Sequence, residues 1–425
     1  MKKALIITYY WPPAGGSGVQ RWLKFVKYFR DFNIEPVVYT VDNPNYPIED
    51  SSLKNDVPDN IEVLKQPIWE PNSLFSFFGK KKSESAGFLN PNPTFFGKIL
   101  QYVRANYFIP DARKFWVKPS VKYLKKYLKE NSIDVIITTG PPHSMHLIGL
   151  ELKKELGIKW LADFRDPWTE IDYFHQLPLT QKAIKKHYLL EKEVLNNADS
   201  VLVVGDTMCE KYKPFNKNVY TVTNGFDGEI VNKPIKLDAK FSLTHIGLMN
   251  ADRNPEMLWE VLSEIIKENK AFSKDFNLNL VGKIDDSVRL ELTNYKLLNN
   301  TTIIKYLSHN EVIEYQKKSQ VLLLIVNNVP SAKGIITGKI FEYLMAKRPI
   351  LAIAPEKGDL ANILNDTNSG YVVGFEQKIQ LKKTILDLYE EYKSGLLKVQ
   401  SKNIAQYHRK ELTKKVAGII NKITE

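Results

Sequence analysis

Residues 2–29 read KKALIITYYWPPAGGSGVQRWLKFVKYF, and the order of residue types along this stretch decides the fold. The run Ala4–Thr8 has the length and apolar content of a buried strand. Three glycines follow in a turn: Gly15, Gly16 and Gly18. Beyond them the apolar spacing predicts a helix over Val19–Phe32. Glycine lets the backbone approach a ligand closely, and a helix N-terminus attracts an anion. Strand, glycine turn and helix therefore point to a phosphate-bearing ligand, with a plain tight turn as the alternative. The dinucleotide fingerprint wants a third glycine at position 21, where this chain has Arg21, although Asp42 stands where its acidic residue is expected.

Working outward, the alternation continues. Strands are expected at Val37–Val41, Val135–Thr138, Trp160–Ala162 and Val201–Val204, and helices at Ser120–Glu130, His146–Leu156 and Thr180–Asn196. The second half starts the pattern again, with strands at Leu243–Gly247, Leu278–Val281, Thr302–Tyr306, Val321–Ile325, Ile350–Ala354 and Tyr371–Val373. Such alternation builds parallel sheets covered by helices on both faces, with ligands at the carboxyl ends of the strands. The fold class is α/β: two Rossmann-like, doubly wound domains over residues 1–230 and 239–405, and a final helix within 406–425 expected to cross back to the first domain. Residues 67–118 lack a period but hold Phe75, Phe77, Phe78, Phe88, Phe95, Phe96, Phe115 and Trp116, too many aromatics for a disordered linker.

Composition narrows the class. Cys209 is the only cysteine, so no intrachain disulfide forms, which fits a reducing compartment. No apolar run approaches the ~18–20 residues of a membrane span. The opening imitates a secretory leader but enters a proline and glycine turn instead of a cleavage site, so a cytoplasmic location is expected. The net charge is +12, and residues 1–130 carry 20 Lys and Arg against 12 Asp and Glu. A basic half serves nucleic acid, anionic lipid or an acidic substrate. No nucleic-acid module is recognisable, so nucleic acid is not an expected partner.

Four further stretches carry candidate chemistry. In LADFRDPW (161–168), Asp163, Arg165 and Asp166 follow a strand end, where two carboxylates flanking an arginine orient a sugar hydroxyl or hold a developing cation; an internal ion pair is the alternative. In TTGPPHSMHLIG (138–149), His143 is a loop histidine with an active-site role open to it, Ser144 is placed to cap the next helix, and His146 reads as a partly buried helix residue. In SAKGIITGKIFEYLMAKRPILAIAP (331–355), the amides of Thr337, Gly338 and Lys339 with the lysine ammonium suit a diphosphate, and Glu342, three residues past Lys339, shares its helix face and suits a ribose. In THIGLMNADRNPEML (244–258), Gly247 ends a strand and Arg253 precedes a helix, which brings a second cation to the same crevice. Gly282, after Leu278–Val281, joins these donor-binding glycines.

PPAGGSGVQR, DFRDPW, VTNGFD, GLMNADRNP, LSHNEVIEYQKKSQVLLL and TGKIFEYLMAKRPILA occur in an order that resembles the retaining glycosyltransferases of the GT-B fold, family 4, along essentially the whole chain. The resemblance implies two domains facing a central cleft, a nucleotide-sugar on the second domain and an acceptor on the first. It implies that Glu342 holds the ribose, that Arg253 and Lys339 hold the diphosphate, that the loop with Gly16 and Gly18 meets the donor phosphates and the acceptor, and that Asp166 or His143 lies near the reacting sugar. Two positions depart from the family pattern: Gly334 replaces its first glutamate, and Leu248 replaces a basic residue. The resemblance implies a UDP- or GDP-linked donor, no metal and no further cofactor. It also implies a glycan or lipid-linked acceptor of surface polysaccharide or glycolipid synthesis. An anionic membrane is an expected partner, met by residues 67–130 together with the basic positions Arg21, Lys24, Lys27 and Arg30 of the first helix, and a peripheral location at its inner face follows. A dinucleotide-dependent oxidoreductase and an inactive scaffold of the same fold remain as alternatives.

Overall fold

The computed structural model describes residues 1–70, 94–171, 174–228, 235–305 and 307–425, and the chain divides into two compact units. Phe75, Phe77, Phe78 and Phe88 of the aromatic stretch lie outside the described residues.

The first unit comprises Met1–Asn224 and Arg409–Glu425. Its strands are β1 (Lys2–Ile7), β2 (Ile34–Val41), β3 (Glu62–Gln66), β4 (Val135–Gly140), β5 (Trp160–Phe164), β6 (Ser200–Val203) and β7 (Val219–Thr221). All are parallel, in the order β3-β2-β1-β4-β5-β6-β7. The described helices are α1 (Ser17–Phe29), α2 (Phe95–Tyr107), α3 (Lys114–Glu130), α4 (Ser144–Leu156), α5 (Gln181–Asn197) and α6 (Asp206–Tyr212). Strand order reverses between β1 and β4, so the loops leaving their carboxyl ends flank a crevice; these are the glycine loop and the His143 loop. Strand residues buried on both faces explain the uninterrupted apolar runs at β1 and β4.

The second unit is Gly225–His408. Its strands β8 (Phe241–Ile246), β9 (Phe276–Val281), β10 (Thr301–Ile304), β11 (Val321–Ile325), β12 (Ile350–Ile353) and β13 (Gly370–Val373) are parallel in the order β10-β9-β8-β11-β12-β13. The helices are α7 (Glu256–Glu268), α8 (Lys270–Asp275), α9 (Asp286–Asn294), α10 (His309–Lys318), α11 (Lys339–Ala346), α12 (Asp359–Thr367) and α13 (Lys378–Lys393). Here the order reverses between β8 and β11.

The last helix, α14 (Arg409–Thr424), belongs to the first unit. Its Leu412, Val416, Ala417 and Ile420 share one buried cluster with Trp22, Leu23, Phe25, Val26 and Phe29 of α1. Lys2 Nζ also donates to Thr424 Oγ1 at 2.6 Å.

The end of the aromatic stretch around Trp116 packs on its own unit. Trp116 is fully buried, stacks on Tyr39 at 5.0 Å, and donates from Nε1 to the Gln66 carbonyl at 3.2 Å. Glu70 accepts from Tyr9 Oη at 3.0 Å and pairs with Arg113 at 2.9 Å, which ties the end of the β3 segment to the start of α3.

Candidate functional site

The second unit gathers a cationic site at its switch point. β8 leads into Gly247 with φ 117°, and β9 leads into Gly282 with φ 121°, both in the region that favours glycine. A Cβ on Gly282 would stand 2.6 Å from the Gly247 carbonyl oxygen, and one on Gly247 would stand 2.6 Å from Lys339 Cε and 2.7 Å from its Nζ. The two glycines pack together, and the Lys339 side chain lies against Gly247. Lys339 opens α11, with Gly338 at the N-cap, and the next two amides are engaged locally, Ile340 with the Thr337 carbonyl at 3.1 Å and Phe341 with the Gly338 carbonyl at 3.3 Å. Thr337 Oγ1 accepts from the Lys339 amide at 3.4 Å.

Arg253 ends the short turn Ala251–Arg253, with Nε donating to Asn327 Oδ1 at 2.7 Å and an η nitrogen 3.4 Å from the Leu248 carbonyl. Glu342, exposed and one turn into α11, accepts from the buried Gln316 Nε2 at 3.1 Å. Burial, then the charge of Arg253, lowers the Lys339 ammonium to about 7, with Glu342 acting in the opposite sense. A half-buried lysine held this close to neutrality, beside a second cation, is suited to an anionic ligand. The structure therefore brings Gly247, Gly282 and Lys339 into contact, with Arg253 and Glu342 close enough to act on that lysine. Sequence reasoning missed His245, Gln316 and Asn327.

The first unit corrects several expectations. Asp163 does not face a ligand: it is fully buried and accepts from Arg21 Nη2 at 2.8 Å, Trp22 Nε1 at 2.7 Å and Thr139 Oγ1 at 2.8 Å. Burial alone would raise its pKa, but Arg21, Trp22 and Thr139 hold it below the ordinary carboxylate value. Arg21, also buried, donates on to the Thr223 carbonyl at 2.9 Å. The residue that breaks the dinucleotide fingerprint is thus an internal clamp between α1 and the sheet. Arg165 is likewise turned inward, donating to the carbonyls of Gly18, Gly140 and Pro141. Of this motif, Asp166 is the exposed member. The basic stripe of α1 is spent internally as well: Lys24 and Lys27 both pair with Asp56 at 2.7 and 2.8 Å, and Arg30 pairs with Glu35 at 2.7 Å.

His143 stands at the N-cap of α4 and stacks on Trp168 at 4.8 Å, with Nδ1 buried and without a hydrogen-bond partner. Burial, then His146, Arg165 and His187, keeps it neutral. Ser144 is not the cap it was expected to be; its amide and hydroxyl both donate to Asp111, at 2.9 and 2.8 Å. His146 is fully buried rather than partly so, is 2.9 Å from Thr138 Oγ1, and is lowered by burial to about 3. Gly16 has φ 82°, and Gly18 packs beside Arg165 at the start of α1. Their loop is pinned by hydrogen bonds from Gly15 to the Ile48 carbonyl and from Asp50 to that of Pro13. Among the described residues no group of three or more His, Cys, Asp or Glu is placed to hold a metal, and no helix is long and apolar enough to cross a membrane.

No model of a known protein family matches the chain, and no curated protein matches it in sequence. Solved structures do. TarM is similar with a TM-score of 0.62 at 15% identity, over 99% of each chain, and an S. aureus TarM variant of the same fold was solved with UDP, fondaparinux and α-GlcNAc-glycerol. The lipopolysaccharide outer core galactosyltransferase WaaB is similar with a TM-score of 0.62 at 12% identity, over 99% of each chain. A putative UDP-N-acetylglucosamine 2-epimerase from Listeria monocytogenes has a TM-score of 0.55 at 11% identity, over 99% of this chain and 96% of that one. The two parallel-sheet α/β units are those of the GT-B fold, and this chain has that fold.

Proposed function

We propose that this chain is a retaining glycosyltransferase. It moves a sugar from a UDP- or GDP-linked donor to a glycan or lipid-linked acceptor in surface polysaccharide or glycolipid synthesis. The observation that carries the reading is the Lys339 side chain laid against Gly247, which packs on Gly282, with Arg253 and Glu342 beside it. Lys339, Arg253 and the Thr337 and Gly338 amides ahead of α11 hold the diphosphate, and Glu342, steadied by Gln316, takes the ribose hydroxyls. The first unit takes the acceptor, with Asp166 and neutral His143 at the carboxyl ends of β5 and β4 serving the reacting sugar.

In the proposed reaction the bond from the sugar's anomeric carbon to the diphosphate oxygen breaks. An acceptor oxygen attacks from the same face through an oxocarbenium-like transition state, and the departing diphosphate oxygen takes the acceptor proton. The protein's main task is to stabilise charge on the leaving group, which two cations and a helix N-terminus supply. An epimerase of the same fold is the second reading, favoured by the epimerase neighbour. It would alter the donor sugar without an acceptor, which product analysis detects.

The test is thermal stabilisation by UDP, GDP, CMP, ADP and NAD, on the unaltered chain and on Glu342→Ala. A ligand at ~100 times its dissociation constant adds about 2.7 kcal/mol. A shift with one nucleoside diphosphate, lost in Glu342→Ala, supports the reading. NAD alone would favour the oxidoreductase, and no shift the inactive scaffold.

Attachment of the first unit to the inner face of an anionic membrane is part of the same proposal. On α2, Phe95, Ile99, Tyr102, Val103 and Tyr107 are exposed beside Lys98 and Arg104 with no acidic residue, and Lys122, Lys126 and Lys129 are exposed on α3. Co-sedimentation with anionic vesicles at low salt checks it; a protein that stays in the supernatant rejects it.

A further inference from the structure

We propose that His245 is a positioning residue that turns the Lys339 ammonium onto Gly247, and that diphosphate capture there is coupled to uptake of one proton by that lysine. The inference rests on the donor-site reading given above.

His245 lies on β8 and is buried. Its Nδ1 is 3.1 Å from the Leu323 carbonyl oxygen on β11. A carbonyl only accepts, so Nδ1 carries the hydrogen. Burial, with Lys339 and Arg253 nearby, holds the ring neutral against the pull of the Leu323 and Leu248 carbonyls. The tautomer with its hydrogen on Nδ1, which the 3.1 Å Leu323 contact favours, leaves Nε2 to accept from Lys339 Nζ, 3.4 Å away. The Leu323 carbonyl is itself fixed by Tyr343, whose hydroxyl reaches it at 3.4 Å and accepts from the Ile246 amide at 3.1 Å. The imidazole is thus a locked acceptor that aims the lysine, and the absence of a side chain on Gly247 leaves the room the lysine occupies.

The charges facing Lys339 are Arg253 from the turn after β8 and Glu342 from its own helix, with His245 neutral. With its acidity near 7, a fair share of the empty site holds an uncharged amine. A diphosphate favours the ammonium, so the amine takes a proton from the buffer as the ligand binds; one N–H bond forms on Lys339 as the buffer acid gives up its bond to that proton, and no other covalent bond changes.

UDP, GDP and ADP are titrated calorimetrically at pH 8 in buffers of different ionisation enthalpy. At that pH the free nucleotides are already fully ionised, and the binding nucleotide takes up close to one proton, roughly 0.9. Above pH 7 its affinity falls about tenfold per pH unit. Lys339→Met abolishes both effects. His245→Leu, with a melt to verify folding, weakens binding at pH 7 and moves the midpoint of the pH profile lower, which a packing role would not do. Binding with no proton uptake and a flat profile overturns the inference, and so does a folded His245→Leu protein with an unmoved midpoint. Those results leave the donor-site reading standing, whereas binding of none of the three nucleotides overturns that reading and this inference with it. The calorimetry on the unaltered chain decides the proton coupling even if His245→Leu does not fold.

Discussion

Asp163→Asn separates a structural carboxylate from a catalytic one. The substitution keeps the shape of the side chain and an oxygen that accepts from Trp22 Nε1 and Thr139 Oγ1. It removes the negative charge that faces the Arg21 guanidinium and replaces the oxygen accepting from Arg21 Nη2 with an amide donor, and that guanidinium is 1% exposed. Breaking a buried pair by removing one partner leaves an uncompensated charge and costs about 3–5 kcal/mol. For a unit of this size that lowers the melting temperature by roughly 6–20 °C. Arg21→Met added to Asp163→Asn removes the stranded charge and recovers most of the loss. Acidity gives a second reading of the same pair. The folded Asp163 is held below its unfolded value, so its contribution is present above about pH 3.9 and fades as pH falls through the lower folded value. The assay is a thermal melt of the three variants alongside nucleotide binding, which the proposed donor site puts on the other unit and which is expected to stay unchanged in each. An Asp163→Asn protein that melts like the parent yet has lost turnover would refute the structural role and restore a catalytic one.

Gly247→Ala forces a methyl to within 2.6 Å of Lys339 Cε at φ 117°, so nucleoside-diphosphate affinity falls tenfold or more, measured by titration, while the melt moves far less than for Asp163→Asn. His146 and His187, lowered by burial to about 3 and about 4, must charge on unfolding. The first unit therefore loses roughly 1.4 kcal/mol per pH unit for each as pH falls below about 6.5, down to its folded value, and a melt series that is level from pH 7 to 5 contradicts this. Gly149→Ala sets a methyl 2.5 Å from Trp160 Nε1 in the core, and a loss of about 1–3 kcal/mol is expected from denaturant unfolding.

The sheet strands were legible where the sequence is apolar on both faces. β3 (EVLKQ) was not, because it is an edge strand with exposed charges, and β7 has only three residues. α3 begins at Lys114 rather than Ser120 and carries Pro119 within it. Within the site, Lys339 and the glycines follow from strand, turn and helix order alone. His245 does not, because its partner carbonyl lies 78 residues away on a neighbouring strand. Asp163 and Arg165 were assigned to chemistry because strand-end position does not tell which way a side chain turns. The answer for Asp163 depends on Arg21, 142 residues away.

The place of α14 has a consequence for how the chain is made. The apolar face of α1 that Leu412, Val416 and Ile420 cover emerges from the ribosome before the second unit, and its cover emerges after that unit. Between them comes the whole second unit, Gly225–His408, whose synthesis takes roughly 10–40 s. Throughout that interval Trp22, Phe25 and Phe29 lack their covering helix, so the nascent first unit presents an uncovered apolar surface. The second unit, unbroken in sequence, completes its own core before the first one can.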